Sequence, residues 1–148
     1  MATRGDATAT PRQRIEAACA RRGRSAVIAG CADLIDGRVD EGFLIELVGS
    51  GADYVLHGGP VHAYWGRVWG ARGLLWACEP DPDPVAVAAL RVAMRDEAWR
   101  VREMAAKVVA RYGYGDLFED VARLRVDDVP RVSAAAERAV VALTRAGG

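Results

Sequence analysis

Residues 57 to 76, HGGPVHAYWGRVWGARGLLW, hold both histidines of the chain and three of its four tryptophans. Histidine ligates metals and moves protons; tryptophan stacks on bases, cations and partner side chains. Each of these chemistries has a spacing requirement. His57 and His62 stand five apart around Gly58-Gly59-Pro60, which fits no zinc pattern, and no Cys or acid sits at ligand spacing beside them. No metal and no other cofactor is expected. The segment GSGADYVLHGG just before is glycine-rich, but no Lys-Ser/Thr follows it and no strand pattern precedes it, so it is not a phosphate loop. Serine occurs only at 25, 50 and 133, none in a nucleophile elbow. No catalytic residue emerges.

What remains is a recognition chemistry. Tyr64, Trp65, Trp69 and Arg72, with Trp99 and Arg102 further on, are the candidate binding surface. Aromatic rings and guanidinium groups carry much of the energy of protein interfaces. Two readings stand side by side: the aromatic cluster is a structural junction between helices, or it lines a pocket for a ligand or partner.

The elements that position these residues are helical. SAVIAGCADLIDG puts Val27, Ile28, Cys31, Leu34 and Ile35 on one apolar face, with Ser25 to cap it and Gly37 to end it. VDEGFLIELVG does the same with Phe43, Leu44, Leu47 and Val48, between Asp40 as cap and Gly49 as stop. Further segments of a dozen or so residues follow, separated by Asp, Pro or Gly and rich in Ala, Arg, Leu and Glu. No stretch alternates like a strand. The expected class is all-α, with a disordered N-terminus over residues 1–10.

A repeat organises the second half. Shifted by 31 residues, DEAWRVREMAAKVVARY at 96–112 lies over DDVPRVSAAAERAVVAL at 127–143, aligning Asp96 with Asp127, Arg100 with Arg131, Val101 with Val132, Ala105 with Ala136 and Val109 with Val140. Shifted by 33, HAYWGRVWGARGLLWA lies under the same helix, with Arg67-Val68 under Arg100-Val101. A further helix sits between copies, at 84–95 and 115–126. Such hairpins bury their apolar faces only by stacking. These helices resemble the short HEAT-like repeats also called PBS-lyase-type, over residues 60 to 147. The resemblance implies a right-handed α-solenoid of short HEAT-like helical hairpins over 58–148, with 11–57 as N-terminal helices, either a cap or degenerate repeats. Pro130 and Ser133 depart from the pattern in the last copy, and Gly66, Trp69, Gly70, Arg72 and Gly73 in the first.

The repeat register assigns an inward face: Val68, Leu75, Trp76, Val101, Ala105, Val108, Val109, Tyr112, Val132, Ala136, Val140 and Leu143. Gly66, Gly70 and Gly73 form a groove that another helix must approach closely, with 40–49 as the expected occupant. Arg72 falls at the position of Ala105 and Ala136, and an inward guanidinium requires a partner; Glu46, Asp53 and Glu79 are the candidate acids. Arg67, Arg100 and Arg131 occupy equivalent positions, so they form a candidate cationic row suited to an acidic segment, or a solvated face with pairs such as Arg100–Glu103 and Glu103–Lys107.

Composition bounds the function. Twenty basic and twenty acidic side chains give a formal net charge of zero. A chain that wraps duplex nucleic acid needs a basic excess, so that partner is not expected. Three unpaired-looking cysteines, Cys19, Cys31 and Cys78, no apolar leader and no membrane-length run point to a cytoplasmic protein with reduced thiols, away from membranes. The expected function is a non-enzymatic binding or scaffold module for another protein, through the face of a helical-repeat stack. The alternative is an enzyme of the HEAT-like-repeat DNA glycosylase type, to which the tryptophans are similar, or a small-molecule binder using the Trp65/Trp69 groove.

Overall fold

The computed structural model describes residues 9–147, and every regular element among them is a helix. The chain forms two compact units, Met1–Ala77 and Cys78–Gly148. The boundary falls inside the 58–148 stretch that the repeat alignment joins, so the first aligned copy belongs with the N-terminal helices.

In the first unit, α1 spans Pro11–Arg22 behind a capping box. The Thr10 hydroxyl accepts from the Gln13 N–H at 3.1 Å, and the Gln13 side chain accepts from the Thr10 N–H at 2.9 Å. Thr10, placed in the expected disordered stretch 1–10, is the cap of this helix; residues 1–8 lie outside the described residues. Gly23, at φ +90°, turns the chain directly into α2, Arg24–Ile35. Ser25 lies inside the first turn of α2 and is not its cap, because Gly23 starts the helix two residues earlier than a Ser25 cap requires. α3, Glu41–Val48, has the expected cap: Asp40 Oδ1 accepts from the Phe43 N–H at 2.9 Å. Gly49 ends it at φ +72°. A short turn leads to α4, Ala52–His57, and then to α5, Pro60–Ala77.

The core of this unit is built around α2 and α5. Ile15, Val27, Cys31, Leu34, Ile35, Leu44, Leu47, Val68 and Leu74 are buried. The glycine groove of α5 is real, but α2 fills most of it, not the 40–49 helix. A Cβ on Gly70 would stand 2.8 Å from the Cys31 carbonyl oxygen and 2.9 Å from the Leu34 Cβ; one on Gly73 would overlap the Cys31 Sγ. Leu47, from α3, also reaches Gly73.

This seam corrects the inward face of α5. Leu75 and Trp76 are half-buried; the buried residues are Gly66, Val68, Gly70, Ala71, Gly73, Leu74 and Ala77. Backbone-to-backbone approach is possible only along the small residues, so the bulky ones beside them turn sideways.

In the second unit, α6 spans Pro84–Ala93, α7 Trp99–Tyr112, α8 Phe118–Arg123 between two 3₁₀ turns, and α9 Pro130–Gly147. α7 packs on α6 and extensively on α9, and α8 packs on α9. Here the repeat register is right. Val101, Ala105, Val108, Val109, Val132, Ala136, Val140 and Leu143 are buried. Tyr112 is the exception, half-buried at the last residue of α7, where its ring stacks on Tyr114 with centroids 5.6 Å apart. Gly113, at φ +68°, ends the helix there and leaves Tyr112 no following turn to cover it.

The two aligned helix starts are also built alike. Asp96 Oδ1 accepts from the Ala98 N–H at 2.8 Å, and Asp127 Oδ1 from the Val129 N–H at 2.9 Å.

Candidate functional site

α5 carries the aromatic group. Trp65, Trp69, Arg72 and Trp76 follow at i, i+4, i+7 and i+11, which places them on one stripe of the helix. All four are half-buried, and the stripe stands about a quarter turn from the glycine seam. Along it, the Arg72 guanidinium carbon lies over the Trp69 ring, 4.5 Å from its centroid. Tyr64 stacks on Trp65 at 5.1 Å, beside the stripe. The structure thus brings Tyr64, Trp65, Trp69 and Arg72 onto one helix and adds Trp76 to them.

Arg72 has none of the acids proposed for it. Glu46 binds Arg21 at 2.7 Å and Arg22 at 2.6 Å; Asp53 is exposed on α4; Glu79 belongs to the second unit. No carboxylate among the described residues pairs with Arg72. Burial holds its pKa below the usual arginine value, and no neighbouring negative charge offsets that. The side chain does not point into the core as the position of Ala105 implied, because the register of α5 differs from that of α7. It lies along the tryptophan stripe instead.

Arg102 is a structural clamp. Its Nε and Nη2 donate to the Asp127 carboxylate at 2.9 and 3.1 Å, and Nη1 donates to the Asp96 and Glu97 carbonyls at 2.8 and 3.1 Å. Four of its five N–H donors are thereby used. Ser133, its equivalent in the last copy, turns its hydroxyl back to the Pro130 carbonyl at 3.1 Å.

Trp99 meets two cations of the second unit. The guanidinium carbons of Arg100 and Arg131 lie 4.4 and 5.3 Å from its ring centroid. Arg131 is also tied to the buried Glu103 at 2.8 Å, and Lys107 approaches the same carboxylate at 3.5 Å. Arg131 is therefore largely neutralised by an acid one helix away, while Arg67 sits half-buried in the first unit. Of the cationic row, the structure joins Arg100 with Arg131.

A cleft escaped sequence reasoning. About 860 Å³ of open space lies between α1, α3 and α4, lined by Arg14, Arg21, Glu46 and Asp53 with Ile45 and Leu56. Its charges are spread over forty residues of sequence, and no local spacing announces it. Both signs of charge face it, and Glu46 is already paired.

No family model, curated protein or solved structure matches the chain. Among the described residues no three His, Cys, Asp or Glu side chains gather to hold a metal ion, and no helix is long and apolar enough to cross a membrane. His62 packs edge-on against Tyr54 at 5.7 Å, at the junction of α4 and α5. The chemistry this arrangement offers is contact: aromatic surface, one cation and shape.

Proposed function

We propose that the protein is a non-enzymatic, cytoplasmic interaction module, and that the tryptophan stripe of α5 is where it takes another protein. One observation carries this reading: three tryptophans and an arginine share a single half-buried face of one helix. The close packing of α5 on α2 runs along the glycine seam, about a quarter turn from this stripe. Tryptophan and arginine are the residue types most enriched where interfaces concentrate their energy.

The reading includes a helical-repeat scaffold of the HEAT-like kind for the second unit, continuing as a right-handed solenoid. The matched Asp96 and Asp127 helix starts and the Arg102–Asp127 link between consecutive copies support it. Such hairpins hold a rigid surface in place, which suits binding better than catalysis.

Affinity purification from the native host tests the face. Wild type, Trp69→Ala and Arg131→Ala are compared under identical conditions. A protein retained by wild type and Arg131→Ala but lost by Trp69→Ala, at closely similar melting temperatures, supports the reading. Loss on Arg131→Ala with retention on Trp69→Ala moves the binding face to Trp99 and its arginines.

A further inference from the structure

We propose that Arg72 is the anchor for a carboxylate brought by the partner, an Asp or Glu side chain flanked by apolar residues on an amphipathic helix. The proposal rests on the reading of α5 as an interaction face and names what that face selects.

Several other arginines of the chain are held by acids. Arg102 holds Asp127, Arg131 holds Glu103, Arg91 reaches Asp120 at 3.2 Å, and Arg21 and Arg22 share Glu46. Arg72 is partly removed from water, yet among the described residues it meets the Trp69 ring, at 4.5 Å, and no carboxylate. Taking a guanidinium from water without an anion is unfavourable. A ring beneath it restores part of the lost hydration. Burial lowers its pKa, the sign expected when no anion compensates.

The geometry also says how an anion meets it. A guanidinium holds its N–H donors in its own plane, so an anion meets it at its edge. That edge suits a carboxylate, which takes two parallel hydrogen bonds. Trp69 and Trp76 stand three residues before and four residues after Arg72, and Trp65 a further turn back. The anion therefore arrives between apolar contacts spaced by helical turns. A helix with an acid one turn from large apolar side chains complements that order. A nucleic acid strand offers phosphates and bases instead, and the chain's zero net charge gives it little long-range attraction.

The test uses the full chain with Trp99→Phe, so that fluorescence reports Trp65, Trp69 and Trp76. The probes are a blocked amphipathic helical peptide with leucines flanking a glutamate, and its isosteric glutamine analogue. The Glu peptide is expected to bind about tenfold or more tighter than the Gln peptide, in keeping with a lost charge-assisted pair. That difference should vanish in Arg72→Gln, recover in part in Arg72→Lys, and shrink at high salt, with circular dichroism unchanged throughout. Equal binding of both peptides, lost on Trp69→Ala, overturns the anchor and leaves the interaction face standing. Tighter binding of an oligothymidylate than of the Glu peptide overturns the choice of a protein partner. No response to either peptide overturns the anchor as well.

Discussion

Arg102 grips Asp127 through two parallel hydrogen bonds, Nε to Oδ2 at 2.9 Å and Nη2 to Oδ1 at 3.1 Å, joining the first turn of α7 to the loop that opens α9. Both side chains are mostly covered, at 17% and 10% exposure, so the pair is screened far less than a surface ion pair.

This pair sets an acid response. Burial alone would raise the Asp127 pKa, but hydrogen bonds from Arg102 and the Val129 N–H outweigh it and hold the carboxyl below its ordinary value. A depressed folded pKa contributes stability above the unfolded value of about 4, and that stability is lost as pH falls through the folded value. Asp127→Asn keeps an oxygen for the Val129 N–H and removes the charge. It should cost about 1–3 kcal/mol at pH 7. The gap from wild type should narrow in urea titrations near pH 3, and an unchanged gap refutes the assignment.

Tyr114 sets the opposite limit. Its hydroxyl donates to the Glu79 carbonyl, and burial first, then the neighbouring Cys78, pushes its pKa well above the usual tyrosine value. A raised folded pKa contributes stability below the unfolded value of about 10, lost as pH rises past it. Tyr114→Phe should cost about 1 kcal/mol at neutral pH. The variant should also unfold less steeply above pH 10. Denaturation curves at pH 8 and 11, with tyrosinate absorbance, measure both.

The α2–α5 seam predicts a reversal of helix propensity. Ala is better than Gly in a helix interior by about 1 kcal/mol. Gly70→Ala should nonetheless destabilise, by about 1–3 kcal/mol, since the new methyl meets backbone at Cys31. At Gly73 the obstacle is the Cys31 Sγ, a side-chain atom. Gly73→Ala should therefore be rescued in part by Cys31→Ala, and a double-mutant cycle showing no coupling would refute the contact.

On α5, Leu74 and Trp69 should separate stability from binding. Leu74 is fully buried, and Leu74→Ala should cost about 2–5 kcal/mol. Trp69 and Trp76 are half-buried, so truncating either should cost less than the 3–5 kcal/mol typical of a buried Trp. Calorimetry that ranks Trp69→Ala above Leu74→Ala makes the stripe a core.

The second unit was readable from its repeat. Aligning α7 with α9 named eight buried residues, from Val101 to Leu143, because both helices carry aliphatic residues at the same phase and meet the same kind of neighbour. Extending that alignment to α5 failed at Leu75 and Trp76. Residue types matched, but closeness of approach is governed by size, and three glycines moved the contact line round the helix. The glycines announced a close neighbour without naming it, since local periodicity does not choose between two apolar helices. α2 and the 40–49 helix offered equally good faces. The stripe of Trp65, Trp69, Arg72 and Trp76 was half legible: its members were noted, but Trp76 was assigned inward and Arg72 given an acid. The Arg102 clamp could not be read, because its carboxylate partner, Asp127, is brought to it by chain folding across 25 residues.

The missing side chain at Gly73 also gives the chain an internal clock. Cys31 is sealed by the backbone of α5, and its thiol reaches solvent only when α2 lifts away. Cys19, partly open on α1, reacts without any such event. With the third thiol removed by Cys78→Ala, the second modification under excess alkylating reagent therefore proceeds at the rate of helix separation or at its equilibrium, according to which is slower, reclosing or labelling. A single thiol count over time thus measures how often the two central helices of this unit part company.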